Sequence, residues 1–236
     1  MTAIDTTELT KRYDETLAVD ELDLSIPDGV VYGFLGPNGA GKTTTLRLLT
    51  TLTRPTSGTA TVVGHPIDDR TAVTSVVGYL PEEPPLYDEL TAREQLRFFA
   101  DLRGLDPSTT TDRIEALFDR FDFGAPDRRI GTYSKGMRRK TGIVSALLHD
   151  PPVVFLDEPT SGLDPRAARH VRETLVSLAE RDVTVFLSTH ALSLVEAVAD
   201  TVGVLQNGRL LAQAAPEELE SPEGGSLEET FLALTS

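Results

Sequence analysis

Gly36-Pro37-Asn38-Gly39-Ala40-Gly41-Lys42-Thr43 follows the pattern G-x-x-x-x-G-K-T. Glycines at that spacing let a backbone curl until successive N–H groups converge on phosphate oxygens, and a helix N-terminus behind them adds a favourable field for anions. Lys42 would reach the β- and γ-phosphates of a nucleotide, the Thr43 hydroxyl would ligate Mg²⁺, and Thr44 continues the same turn. A second chemical group closes the apolar run Val153-Val154-Phe155-Leu156, which ends in Asp157-Glu158. Strand alternation turns these two carboxylates in different directions, so Asp157 would hold the Mg²⁺ shell and Glu158 would polarise an attacking water. His190 follows a third apolar run, VTVFLS, and Thr189. At the C-terminal end of a strand in a nucleotide fold it would hydrogen-bond the γ-phosphate. Each group also has an ordinary reading: a glycine-rich turn, a solvated acid pair, a structural histidine. The loop lies between a strand pattern and a helix pattern, and that context favours the phosphate reading.

The elements that must hold these groups are legible from periodicity. Residues 4–35 alternate apolar and polar and break at Pro27-Asp28-Gly29, as paired strands do. The runs 30–36, 57–64 and 76–80 read as further strands, and 42–52 as a helix. From Thr91 to His149 the period lengthens: Leu96, Phe99, Ala100 and Leu102, then Ile114, Leu117, Phe118 and Phe121, recur at helical spacing. A helical insert therefore separates two strand-rich regions. The apolar runs 153–157 and 183–188 flank a helix near 165–180, the pattern of parallel strands buried on both faces. Asn207-Gly208 marks a hairpin turn, and SLEETFLAL a closing helix.

Composition limits the function classes. The 236 residues carry a net charge of −15, a poor match to nucleic-acid phosphates. Only four of the 22 basic residues are lysines (11, 42, 135 and 140), and an acidic, lysine-poor, threonine-rich surface points to a halophilic protein adapted to high salt. The absence of cysteine excludes disulfides and thiolate metal sites. No apolar run approaches the ~20 residues that span a bilayer, and the start MTAIDTTELTKRY has no signal-peptide pattern. A cytosolic compartment is expected.

With these residues in hand, the chain resembles the ATP-binding subunits of ABC transporters over nearly its whole length, with several motifs in the family's order. GPNGAGKT corresponds to the Walker A loop, VVFLDE to Walker B with Glu158 as catalytic residue, Ser161-Gly162-Leu163-Asp164 to the D-loop, and His190 to the switch histidine. The resemblance places Tyr13 where an aromatic stacks on adenine, and Ser134-Lys135-Gly136-Met137 at the signature, usually LSGGQ. It implies an α/β fold, a P-loop NTPase of the ABC type, with a mixed β core, an antiparallel β subdomain and an inserted α-helical subdomain. The expected division is a core of 1–82 and 150–212, a helical subdomain of 83–149 and a tail of 213–236, all within a single ABC ATPase domain.

The resemblance further implies ATP and Mg²⁺ as ligands. It also implies that the signature meets ATP held by a second subunit, either another copy or a paralogous ATPase. A separate integral membrane permease would dock near residues 82–100, placing the protein on the cytoplasmic face of the membrane. Two positions depart from the family. Glu82 stands where a glutamine usually contacts Mg²⁺ and is carried over as a metal ligand through its carboxylate, and Lys135 replaces the signature's first glycine. YSKGM and the terminal LEETFLAL are most similar to the branch exporting drugs, antibiotics, lipids or polysaccharides. A soluble ABC-type ATPase of DNA repair or translation is the alternative. Against it, neither long coiled coils nor a second ATPase unit is visible, and the charge disfavours nucleic acid.

Overall fold

The computed structural model describes residues 2–219 and 226–235. Its centre is a six-stranded sheet in the order β10-β9-β3-β8-β7-β6. The strands are β3 (Val31–Leu35), β6 (Val77–Leu80), β7 (Val153–Asp157), β8 (Thr184–Thr189), β9 (Thr201–Gln206) and β10 (Arg209–Ala214). All neighbours are parallel except the hairpin β9–β10, which turns at Asn207 and Gly208, both with positive φ. Continuous apolar runs can form these strands because both faces are covered. Alternate side chains enter two separate apolar layers: Val31, Leu35, Val154, Leu156, Val185 and Leu187 face one, while Tyr32, Phe34, Val153, Phe155 and Phe186 face the other.

The second layer is closed by a four-stranded antiparallel sheet, order β2-β1-β4-β5, and by α1 (Lys42–Leu49). Its strands are β1 (Thr2–Tyr13), β2 (Thr16–Pro27), β4 (Ser57–Val62) and β5 (His65–Pro66). In β2 the buried residues Leu22, Leu24 and Ile26 alternate with exposed Glu21, Asp23 and Ser25, as one solvated face requires. Bulges interrupt the β1–β2 register, and both Glu8 and Glu21 take positive φ there.

Helices close the first layer. The helical stretch after Thr91 comprises α3 (Ala92–Leu102), α4 (Pro107–Arg120) and α5 (Lys135–Leu147). Their starts are chemically marked: Thr91 and Glu94 form a capping box, Asp106 caps α4 ahead of Pro107, and Ser134 caps α5. Leu96, Ile114, Leu117, Phe118 and Phe121 are buried as their spacing predicts, whereas Leu102 is 69% exposed. On the same side lie α6 (Pro165–Ala179), α7 (Leu192–Val198) and α9 (Leu227–Leu234); α8 (Pro216–Leu219) and α2 (Arg70–Val76) complete the set.

Periodicity left α2 and α7 unmarked, because seven-residue helices complete too few turns to establish a 3.6-residue repeat. Helix α1 ends at Leu49 instead of Leu52, since Thr51 adopts φ 60° and breaks the ladder. Of the expected tail, residues 220–225 and 236 lie outside the described residues.

Candidate functional site

The central strand order brings the chemistry together. β3 lies beside β8, and β8 beside β7, with Leu35 level with Thr189 and Asp157 level with Ser188. The loop leaving β3, the acids ending β7 and the histidine following β8 therefore emerge side by side at the carboxyl ends of parallel strands, where open α/β sheets bind ligands. They line one cleft of about 410 Å³ containing Asn38–Thr44, Glu82, Asp157, Glu158 and His190, with Thr16–Ala18 of the β1–β2 hairpin along one edge.

The loop has the geometry that its glycines permit. Gly41 takes φ +109° as the residue before α1, and a Cβ there would lie 2.3 Å from the Ala18 carbonyl; at Gly36 it would meet the Leu205 carbonyl at 2.5 Å. No side chain caps α1, so the N–H groups of its first turn face the cleft without a protein cap. Lys42 is buried, and its Nζ donates to the carbonyls of Gly36 (2.6 Å) and Pro37 (3.1 Å). Burial lowers the Lys42 pKa, opposed by the carboxylates of Glu158, Asp157 and Glu82.

The acids separate as expected, but strand alternation is only part of the cause. Glu158 lies just beyond β7 with φ 49°, and that left-handed turn redirects its side chain. Asp157 accepts the Thr43 hydroxyl on Oδ2 (3.0 Å) and the Ser188 hydroxyl on Oδ1 (2.9 Å). Glu158 accepts Thr189 Oγ1 on Oε2 (2.9 Å) and the His190 backbone N–H on Oε1 (3.0 Å); His190 Nδ1 lies 2.7 Å from the same Oε1. Ser188 and Thr189 thus orient the two acids, and neither is among the candidate site residues of the sequence. Their signal was present: two hydroxyls ending a fully buried strand must find partners.

Among the described residues no group of three or more His, Cys, Asp or Glu side chains could itself cage a metal. Mg²⁺ does not require such a cage, because it keeps waters and takes substrate phosphates beside one or two protein ligands. The Thr43 hydroxyl against the Asp157 carboxylate is a donor set of that kind.

The other expected residues lie elsewhere. Tyr13 is 41% exposed at the end of β1, with Lys11 Nζ 4.8 Å from its ring centroid, and is not among the residues that line the cleft. Ser134, Gly136 and Met137 line a different depression, together with Asp164 and Ala167. Ser134 Oγ accepts the Met137 N–H, and Asp164 caps α6 by accepting the N–H groups of Arg166 and Ala167. The Lys135 side chain lies across Gly162, where a Cβ would come within 2.6 Å of its Cε and 2.7 Å of its Cδ.

A groove between the core and the helices is lined by Leu52, Tyr79, Pro84, Leu86, Phe99 and Leu102, among others. Tyr87 and Phe98 stack edge to face, both exposed. No helix among the described residues is long and apolar enough to cross a membrane.

Comparison with known proteins agrees with this geometry. The family model described as ABC transporter matches residues 19–161. The daunorubicin/doxorubicin resistance ATP-binding protein DrrA of Streptomyces peucetius is 40% identical over 227 residues, 95% of this chain and 69% of that protein. The bacitracin transport ATP-binding protein BcrA of Bacillus licheniformis is 39% identical over 93% of this chain and 72% of its own length. A solved ATP-binding subunit of an ABC transporter superposes with a TM-score of 0.90 at 30% identity, covering 100% of both chains. By fold, cleft and sequence, the chain belongs to the ABC transporter family, among its ATP-binding subunits.

Proposed function

We propose that the chain hydrolyses ATP to drive export through a separate membrane permease, working on the cytoplasmic face as a dimer with a second copy or a paralogous subunit. One observation carries the dimer: the residues suited to this chain's own phosphates share one cleft, while Ser134, Gly136 and Met137 line another cavity with no residue in common. A signature that lines a cavity apart from its own chain's cleft is suited to a neighbour's nucleotide. Export is the direction favoured by the relatives named for drug resistance and bacitracin transport.

In this reading the loop 36–44 holds the phosphates by backbone N–H groups and Lys42, and Thr43 and Asp157 hold Mg²⁺. Bound Mg²⁺ would neutralise charge developing on the transferred phosphoryl oxygens. Glu158 orients the attacking water, with Thr189 and His190 fixing its carboxylate. Tyr13 sits on the hairpin whose following residues edge the cleft, and stacks on adenine from there. Asp164, next to the signature, belongs to the seam between subunits. The apolar groove around Leu52, Leu86 and Phe99 receives the permease. The net charge of −15 suits a salt-rich cytoplasm, in which added KCl raises the melting temperature by screening self-repulsion.

The test is steady-state ATP turnover by the purified chain, alone and with a co-expressed permease in vesicles. Turnover that the permease stimulates is expected. A chain that binds ATP and never hydrolyses it, with or without the permease, would overturn the enzymatic reading.

A further inference from the structure

Lys135 is the first residue of α5, so its ammonium stands at the positive end of the helix dipole, where a cation is disfavoured. Lys11, Lys42 and Lys140 each donate to backbone carbonyls, whereas the exposed Lys135 forms no hydrogen bond and no ion pair with the described residues. Within this chain, charge gives no reason for a lysine there. Its methylenes do have a partner. The space that a Cβ of Gly162 would fill holds the Lys135 stem, 2.6 Å from that point at Cε and 2.7 Å at Cδ. Beside it, a Cβ on Gly136 would make ordinary contact with Leu163 Cδ2 at 3.5 Å and the Ala167 Cβ at 4.0 Å. The first turn of α5 thus bears on residues 162 and 163 at two neighbouring points.

The turn it covers begins at Glu158. The Ser161 N–H donates to the Glu158 carbonyl at 3.1 Å, and the Leu163 N–H to the Thr160 carbonyl at 3.2 Å. Glu158 holds φ 49°, a left-handed conformation that a side chain disfavours and that surrounding structure must maintain. Thr189 and His190 hold its carboxylate from the β8 side. The α5 side of the turn is met by Lys135 and Gly136.

We propose that Lys135 is a positioning residue for Glu158 of its own chain: its stem, laid over Gly162, clamps the turn 158–163 and keeps the acid's backbone in place for hydrolysis. The lysine that departs from the signature thereby acts within its own subunit, through its methylenes and not its charge. The inference rests on the reading of Glu158 as the residue that orients the attacking water.

The experiment compares Lys135→Ala, which removes the stem, with Lys135→Met, which keeps a stem without the charge. Both are good helix formers at an exposed position, so the fold is retained, with melting temperature as the control. Amide hydrogen exchange of the nucleotide-free chain reads the turn without a partner's nucleotide. Lys135→Ala is expected to speed exchange at Ser161 and Leu163 about 3–10-fold, and Lys135→Met to leave it within about twofold. In steady-state turnover, Lys135→Ala should lower kcat about 3–10-fold with KM for ATP within about twofold, and Lys135→Met should match the parent.

A kcat loss from Lys135→Met as large as that from Lys135→Ala overturns the proposal, because the ammonium is then what acts. A kcat loss from Lys135→Ala with unchanged exchange also overturns it and assigns the lysine to the neighbour's phosphates. Faster exchange without a kcat loss, or no effect on either, overturns it too. Normal turnover by Glu158→Gln overturns the reading of the acid and this inference with it. Loss of turnover by Glu158→Gln with unaffected Lys135→Ala overturns this inference alone.

Discussion

Oε1 of Glu158 lies 3.0 Å from the backbone nitrogen of His190 and 2.7 Å from its ring Nδ1, so one carboxylate oxygen is gripped twice by one residue. With Thr189 on Oε2, the whole carboxylate is oriented by the segment that leaves β8. The His190 ring is 61% exposed and faces the cleft, while Glu158 is nearly enclosed. Whatever binds beside the ring is therefore felt by the acid through a single hydrogen bond.

Glu158→Gln should lower the hydrolysis rate by about 10²–10⁴-fold, the range for a positioned acid or base. ATP binding should survive, and ATP-dependent dimers should persist in light scattering. Normal turnover by this variant would remove Glu158 from the catalytic role. His190→Ala should cost less, about 10–10³-fold in kcat, because Thr189 and the backbone N–H still hold the carboxylate.

Ser134→Arg and Lys42→Ala chains should each be inactive alone. Mixed, they assemble dimers in which one composite site has both an intact loop and an intact signature, so activity should reappear. Loss of ATP binding by isolated Ser134→Arg monomers would sink the assignment of the signature to the neighbour's nucleotide.

Gly78 of β6 is where α5 rests on the sheet, since a Cβ there would lie 2.2 Å from the Ala146 carbonyl. Backbone cannot yield as a flexible side chain can, so Gly78→Ala should destabilise the fold by about 1–3 kcal/mol. Denaturant unfolding measures this directly, and a shift below a few tenths would show that α5 moves freely on β6.

His149 is a half-buried histidine whose charge state matters to stability. Burial, reinforced by the Arg103 guanidinium, pushes its pKa down from 6.5 to about 4, against the pull of the Val77 carbonyl 3.1 Å from Nε2. The unfolded chain therefore takes up the proton first as pH falls. Stability that His149 contributes above pH 6.5 is lost progressively towards pH 4. After allowance for partial exposure, His149→Asn should remove about 1–2 kcal/mol of that acid-side decline. Melting curves at pH 7 and pH 5 read it; an unchanged difference would mean that His149 does not titrate separately in the two states.

How far the chain was legible depended on how local the signal was. The loop 36–43, the Asp157-Glu158 pair and the strands carrying them show in sequence, because a phosphate cradle and a doubly covered strand each require a contiguous pattern. Signals spread across the chain were less visible. Ser188 and Thr189 resemble an ordinary strand end until their partners 31 residues away are known. Arg139 resembles a solvated residue in a basic run, since nothing adjacent to it in sequence shows that α5 buries it against Pro81.

The sequence by itself determined which groups were available: a glycine-rich loop, an acid pair and a histidine after an apolar strand, each written in residues within reach of one turn or one strand. Only the tertiary structure decided ownership. Strand order placed β8 between β3 and β7, and so brought the loop, both acids and His190 into one cleft. The packing of α5 on Leu80 and Pro84 and on Leu163 and Ala167 turned Ser134, Gly136 and Met137 towards a separate cavity. The physical reason is that side-chain type is local, whereas the direction a side chain faces is fixed by distant packing.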